Sequence, residues 1–412
     1  MGFLERGHGY ARPQQFNSIL SAICVLYICV WSLFPAIQLG NVYRFAALLC
    51  AVLWFFLINS KRNYVMDKQD ALMAIFVLLV IVVSVFTNVG FGGIMSQIST
   101  FVLFIGYYMT KHYEKTNTPL TFVTVSVMLV LIFSNFRTLG ALATDEHLTR
   151  AMVHDDEETY VYLLKGIGGY GLIYPQVCIA PLFISWTVSA FKKNKFCFIL
   201  GLVWILSYVL LVFNAGYMIA MVVTVIGFVL VLARSKKSVI YSLLISVGVM
   251  VAIYFAIGYS AGFRNFLLEI FKKSNPITFK INDIYNSFWG LGDAHNVEVR
   301  ADAYTMSLKV IFTYPILGGF GSVPVGGHSA ILDTIAIFGW FGGYAFITMI
   351  LHVPAFQKRT SKDDYVKKVA NSVTATILLV GLLDTFPYQL AMAVTVVALG
   401  LFKDIIRWRQ EL

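Results

Sequence analysis

Apolar segments long enough to cross a bilayer recur along this 412-residue chain, and they restrict its fold more than any other feature. A hydrocarbon core needs about 20 apolar residues in helical conformation. Lipid offers no partners to backbone polar groups, so a spanning segment must satisfy them internally. Hydrophobic residues make up 58% of the chain and charged residues 13%, which is too apolar for a soluble domain of this size. The sequence therefore predicts an all-α integral membrane protein.

Twelve segments have the length and composition of membrane-spanning helices. We place them at 17–36, 43–59, 71–88, 94–110, 119–136, 170–190, 197–213, 216–233, 238–258, 328–350, 370–384 and 388–402. Two further segments, 137–169 and 259–327, are too polar to span, and the longer one separates the ninth and tenth helices. Neither is large enough for a separate globular domain. We therefore expect residues 1–412 to form a single membrane domain.

The basic residues predict the orientation of these helices. If the N-terminus is cytoplasmic, 21 of the 31 Lys and Arg residues lie in segments on the inner side. By the positive-inside rule, both termini are then cytoplasmic and both polar segments are external. The formal net charge of +10 reflects this topology. We expect no nucleic-acid partner, because no basic run lies in a soluble domain that a duplex could reach.

Motifs for several other kinds of chemistry are absent or weak. The chain has no P-loop, no Asp-x-Asp pair and no His/Cys cluster at zinc spacing, so we expect neither a metal nor another cofactor. Gly166-x-Gly168-x-x-Gly171 formally fits a dinucleotide fingerprint but follows no strand. A turn that brings the backbone close to a neighbour explains these glycines better.

The external segment 259–327 contains two predicted helices. Residues 263–273 alternate apolar and charged side chains at helical spacing, as in a helix that lies in the headgroup plane. The second helix runs from about Asn296 to Thr313 and stops before Pro315. Arg300, Tyr304 and Ser307 share one face of it. A solvated polar face would explain this pattern equally well.

His328 is the side chain that most strongly indicates chemistry. It opens the tenth apolar segment directly after Gly326-Gly327, and an imidazole can take a proton near neutral pH. Asp333 lies about 140° around a helix from His328, so it is a doubtful partner for the imidazole. The alternative is a hydrogen-bonded structural histidine.

Several arginines are expected on the same side of the membrane as His328. A guanidinium stays charged and presents a planar fork of donors to phosphate oxygens. A histidine base beside such cations suits transfer from a lipid diphosphate, because the cations stabilise the charge that leaves. Anchoring to lipid headgroups is the alternative role. These arginines are Arg137, Arg150, Arg264 and Arg300.

Two motifs resemble the O-antigen polymerase and ligase superfamily, the Wzy and WaaL proteins. His328-Ser329, nine residues, Gly339, two residues and Gly342 resemble its histidine motif. Arg300, Tyr304 and the following 314–321 block are similar to the arginine-to-glycine block that precedes that motif. The sequence resemblance covers about 300–343, and elsewhere it is topological. One departure is the turn at 213–217, which lacks an arginine that many relatives carry there.

The resemblance implies a GT-C-like fold and an inverting, metal-independent glycosyltransferase at the periplasmic face of a bacterial inner membrane. It implies that His328 activates the acceptor hydroxyl and that Arg300 holds the donor's diphosphate. Arg150, spaced ahead of a glycine, is a second contact. Arg137, Arg264 and Tyr304 complete the expected substrate-binding set.

The expected donor is an undecaprenyl-diphosphate-linked glycan in the membrane lipid, with a chain-length regulator and a flippase as protein partners. We expect a polymerase that joins lipid-linked repeat units. The alternatives are the ligase that transfers the finished glycan to lipid A-core, and a glycolipid transporter. Transporters usually place ionisable residues or broken helices near the bilayer midplane. The predicted helix centres here carry almost no charge, which favours an enzyme.

Overall fold

The computed structural model describes residues 11–38, 40–59, 66–86, 90–112, 119–145, 148–152, 156–232, 239–272, 275–289, 295–385 and 387–411. Every regular element in these ranges is a helix, which confirms the prediction of an all-α protein. The helices in chain order are α1 (Ala11–Leu33), α2 (Pro35–Gln38), α3 (Asn41–Asn59), α4 (Lys68–Phe86), α5 (Gly90–Lys111), α6 (Leu120–Leu142), α7 (Leu148–Ala151), α8 (Asp156–Leu164), α9 (Tyr170–Ala190), α10 (Lys195–Asn214), α11 (Met218–Leu232), α12 (Val239–Tyr259), α13 (Ala261–Ile270), α14 (Asn275–Trp289), α15 (His295–Thr313), α16 (Ala330–Thr360), α17 (Asp364–Leu383) and α18 (Tyr388–Gln410).

Each of the twelve predicted apolar segments coincides with a long helix. Among the described residues, α6, α9, α10, α16 and α17 are long and apolar enough to cross a membrane, and α12 with α13 would add a sixth, bent span. The chain is therefore an all-helical protein with the apolar helices of a membrane protein. The count of twelve spans and the GT-C-like fold remain predictions.

Helix α9 lies at the centre of the helical packing. It contacts α10, α11, α17 and α18, and nearly all of its side chains are buried. A polar network of buried side chains joins it to α6 and α10: Asn135 and Gln176 exchange two hydrogen bonds of 2.9 and 3.0 Å, and the Trp204 indole donates to Gln176 Oε1 at 3.0 Å. Such hydrogen bonds hold apolar helices together where lipid offers no competing partner.

The described residues between α12 and α16 contain three helices, one more than predicted. Helix α13 is bent by 102° from α12, and the hydroxyl of Ser260 caps it by accepting from Phe263 N at 3.2 Å. Helix α15 confirms the predicted helix and begins one residue earlier, at His295. Helix α14 was not predicted. Its Ile277 and Ile281 are buried against Ile257 of α12. This tertiary contact gives the otherwise polar helix its apolar packing surface.

Two predicted boundaries are wrong in ways that concern the site. Arg137 lies on α6, which continues to Leu142, rather than in a loop that starts at 137. The tenth apolar helix begins at Ala330, where the Ser329 hydroxyl accepts from Leu332 N at 3.2 Å as the N-cap. His328 therefore precedes α16 instead of opening it. The helix also runs past 350 to Thr360 and is broken at Gly339, whose φ is 67°.

Candidate functional site

The polar face predicted on α15 meets the C-terminal end of α17. The Arg300 guanidinium and the Tyr304 hydroxyl, one turn apart, both donate to the carbonyl oxygen of Leu383 at 3.1 Å. The last carbonyls of a helix lack partners within the helix, and the negative end of the helix dipole attracts a cation. Arg300 and Tyr304 therefore cap α17 from the side.

Arg300 also faces a buried carboxylate. Its Nη2 atom lies 3.9 Å from Asp384 Oδ2, and Asp384 is only 4% exposed. Burial alone would lower the pKa of Arg300, but the Asp384 carboxylate and the nearby Tyr304 outweigh it and raise that pKa above its ordinary value. Burial raises the pKa of Tyr304, although Arg300 opposes this shift. The site thus holds a permanent cation beside a protonated phenol.

Asp333 organises the loop that carries His328. Its Oδ1 atom accepts from the Ser307 hydroxyl at 2.6 Å, and its Oδ2 atom accepts from Ser329 N at 3.0 Å. The Ser307 oxygen in turn accepts from Gly326 N at 2.9 Å. The backbone is therefore held on both sides of His328. This also supports the expectation that Asp333 is not the partner of the imidazole.

The same loop docks on the end of α17. The Ser329 hydroxyl donates to Gly381 O at 3.1 Å, and Ala330 N donates to Asp384 O at 3.0 Å. Backbone oxygens within 381–384 thus accept hydrogen bonds from the loop after His328 and from the side chains of Arg300 and Tyr304. The same helix end therefore contacts both the loop of the expected base, His328, and Arg300, which is expected to bind the diphosphate.

His328 itself is half-buried and follows Gly327, whose φ of 73° allows the chain to turn there. Within the described part of the chain, His328 makes no hydrogen bond and no ion pair. Gly326 is needed for a different reason, because a Cβ at this position would overlap the backbone of Ala303 on α15. The loop that carries His328 therefore lies directly against α15.

An amphipathic cavity of about 380 Å³ lies beside Arg300, between α11, α12, α14 and α15. Helices α11 and α12 contribute apolar side chains and Tyr254, whereas the charged lining residues come from α14 and α15. A chamber of this size and composition, with few polar groups on an apolar wall, is typical of a small-molecule site. Its polar lining residues are Lys280, Asp283, Arg300 and Tyr304.

Three tyrosines add an aromatic wall near Arg300. Tyr170 stacks on Tyr174 with ring centroids 5.5 Å apart, and its ring also packs at a tilt of 32° against Tyr217, with centroids 4.6 Å apart. Tyr217 lies in the turn at 213–217, and its hydroxyl donates to Thr149 O at 2.7 Å. Because Tyr170 and Tyr174 act electrostatically on Arg300, this turn contributes to the surroundings of the site without a cation.

The other arginines expected at the site make different contacts. Arg137 is exposed and donates to Lys165 O at 2.9 and 3.2 Å, so it ties α6 to the residues after α8. The guanidinium of Arg264 lies over the Tyr285 ring at 4.1 Å and joins α13 to α14. The side chain of Arg150 lies outside the described residues. Of the three arginines whose side chains are described, Arg300 contacts the same helix end as the His328 loop.

Asp384 is the residue of this site that the sequence reasoning missed. It is the last residue of the predicted apolar segment 370–384. The sequence nonetheless indicates its importance, because a lone carboxylate at the end of an apolar segment destabilises the fold unless it is paired or functional.

No protein-family model and no curated protein matches this sequence. The interpretation of the site therefore rests on its own geometry and on the motifs within 300–343.

Proposed function

We propose that this protein is a polysaccharide polymerase, an inverting and metal-independent glycosyltransferase that joins undecaprenyl-diphosphate-linked repeat units at the periplasmic face of a bacterial inner membrane. The observation that carries the proposal is the amphipathic cavity, whose polar lining includes Arg300 and Tyr304 beside Lys280 and Asp283. An isoprenoid diphosphate consists of an apolar chain attached to a compact anion, so its two parts match the apolar and the charged walls of the cavity.

The donor's diphosphate binds at Arg300. One guanidinium donor is used on Leu383 O, and a guanidinium has five, so several remain for phosphate oxygens. The apolar side chains of α11 and α12 cover the first part of the isoprenoid chain. A partly buried guanidinium interacts strongly with an anion because little solvent screens the pair.

The acceptor is the terminal sugar hydroxyl of a second lipid-linked unit. His328 takes the hydroxyl proton, and the oxygen attacks the anomeric carbon of the donor from the face opposite the diphosphate. The bond from that carbon to the diphosphate oxygen breaks, and its electron pair leaves with the diphosphate. Arg300 stabilises the charge that develops there. Attack from the opposite face inverts the anomeric configuration.

Electrophoresis of surface glycan tests this function. A strain that lacks the gene is complemented with the wild type, His328→Ala or His352→Gln. His352 is the matched control, because it lies in the second half of α16, where it is buried and meets the Tyr107 ring edge-on with centroids 5.1 Å apart. We expect a ladder from the wild type and His352→Gln, and a single repeat unit on the core from His328→Ala. Immunoblotting of each variant verifies that the chain accumulates.

Two other results would contradict the polymerase. Polymer that accumulates on the carrier lipid of the deletion strain, without reaching the core, would identify a ligase. An unchanged ladder in the deletion strain would exclude both glycosyltransferases and favour a transporter.

A further inference from the structure

Asp384 is a buried carboxylate whose two oxygens have different surroundings. Oδ1 accepts from Thr385 N at 2.8 Å. Oδ2 accepts no hydrogen bond of normal geometry from the described residues, although Arg300 Nη2 lies 3.9 Å away and the Tyr174 phenol is close enough to the carboxylate to act as a weak hydrogen-bond donor. A buried charge with this little hydrogen bonding destabilises a fold unless its charge is used.

The position of Arg300 does not depend on Asp384 alone. The neutral Leu383 carbonyl already accepts from Arg300 and from Tyr304. Because that carbonyl provides a directed hydrogen bond, the carboxylate contributes charge more than geometry. The guanidinium is therefore shared between a fixed anion of the protein and any anion that enters the cavity.

We propose that Asp384 is a positioning residue that acts through Arg300: its fixed negative charge weakens the hold of the guanidinium on a bound diphosphate, so that the diphosphate product can leave. This inference rests on the proposed function. The donor is a diester of diphosphoric acid, whereas the product is a monoester that carries an additional negative charge. Arg300 would hold the product more tightly than the donor. A fixed like charge nearby opposes that difference by repulsion.

Binding of farnesyl diphosphate to the full-length protein in detergent, measured by calorimetry, tests the role of Asp384. Asp384→Asn keeps an oxygen for Thr385 N and removes the charge. We expect its Kd to fall by about tenfold or more, because a like charge close to the bound diphosphate is removed. In a polymerisation assay, both KM and kcat should fall, because the donor binds more tightly and the product leaves more slowly. A merely structural role would not tighten binding.

Asp404→Asn is the matched control. Asp404 is 2% exposed and accepts from Thr121 at 2.7 Å and from Trp186 at 3.1 Å. It lies sixteen residues along α18 from Tyr388, about 24 Å at 1.5 Å per residue. Neutralising this carboxylate should leave the Kd of farnesyl diphosphate unchanged.

The outcomes separate this inference from the proposed function. Unchanged or weaker binding by Asp384→Asn, together with binding by the wild type that Arg300→Ala abolishes, overturns the role of Asp384 alone. A folded wild type that does not bind farnesyl diphosphate, or an Arg300→Ala variant that binds equally well, overturns the diphosphate site and this inference together. If Asp384→Asn does not accumulate, Asp384→Ser removes the same charge with a smaller side chain and has the same expected result.

Discussion

The guanidinium of Arg300 lies 3.9 Å from the buried carboxylate of Asp384, and this pair joins α15 to the end of α17. The backbone oxygen of Asp384 also accepts from Ala330 N, directly after the His328 loop. The cation expected to bind a diphosphate and the loop that carries the expected base are therefore supported by the same helix end. A change at this end of α17 should affect binding and chemistry together.

Replacing Arg300 by lysine should weaken binding of farnesyl diphosphate by about tenfold or more, because a point charge replaces a planar fork. Lysine also cannot donate to Leu383 O and to an anion with the same geometry. Calorimetry on the purified variant measures the effect. Arg359→Lys is the control, since Arg359 also donates to a backbone carbonyl, that of Ala355. Equal binding by Arg300→Lys and the wild type would argue against a bidentate contact.

Tyr304→Phe should lower the free energy of unfolding by about 0.5–1.5 kcal/mol, the usual net contribution of one hydrogen bond. The lost bond is the one from the Tyr304 hydroxyl to Leu383 O. Arg300 still satisfies that carbonyl, so the change should stay within this range. A thermal melt in detergent compares it with Tyr344→Phe at an exposed position of α16. The same Tm shift in both variants would show that the hydrogen bond contributes nothing specific.

Asp333→Asn should lower kcat and leave the Kd of farnesyl diphosphate unchanged. Asp333 accepts from both Ser307 Oγ and Ser329 N. An asparagine has one side-chain oxygen, so it can replace one of these acceptors, and its NH₂ group disturbs the other contact. The loop on both sides of His328 is loosened, whereas Arg300 is not touched. Asp302→Asn, at an exposed position of the same α15, is the control. A weaker Kd without any loss of kcat would contradict a role in positioning His328.

Ile253→Trp should block an isoprenoid diphosphate but not inorganic diphosphate. Ile253 lines the cavity on α12, and a larger ring there would occupy the space expected for the apolar chain. Val251→Trp is the control on the same helix, because Val251 is exposed and lies outside the lining. Competition between the two ligands, measured on both variants, decides the result. Loss of both ligands only in Ile253→Trp would indicate that the whole cavity has collapsed.

Gly339→Ala should destabilise the protein by about 2 kcal/mol or more, since φ there is 67° and an L-residue is strained in that region. A Cβ would also overlap the carbonyl oxygen of Ile316. Gly140→Ala is the control: it lies on α6, with nothing within 4 Å of its Cβ position, and should be neutral or stabilising by up to about 1 kcal/mol. Melts of both variants test the difference. Equal stability would show that the break in α16 is not required.

Part of the site was predictable from local pattern. The spacing of Arg300, Tyr304 and Ser307 predicted a shared helical face, and the contacts of all three on α15 confirm it. Helix α14 was not predicted, because its two buried isoleucines only form an apolar stripe once Ile257 of α12 lies against them. Arg137 carries the same guanidinium group as Arg300, and the sequence predicted the same diphosphate contact for both. Its contact with Lys165 O depends on where α6 ends.

The sequence alone determined that this chain is all-helical and apolar enough for a membrane, because hydropathy and helical periodicity are properties of short segments. Only the tertiary structure decided which polar groups meet. The Leu383 carbonyl receives Arg300 from 83 residues away and Tyr304 from 79. Every residue carries a carbonyl of this kind, so its identity as a cap has no signature in the sequence. The role of Asp384 likewise depends on the Arg300 guanidinium that folding brings beside it.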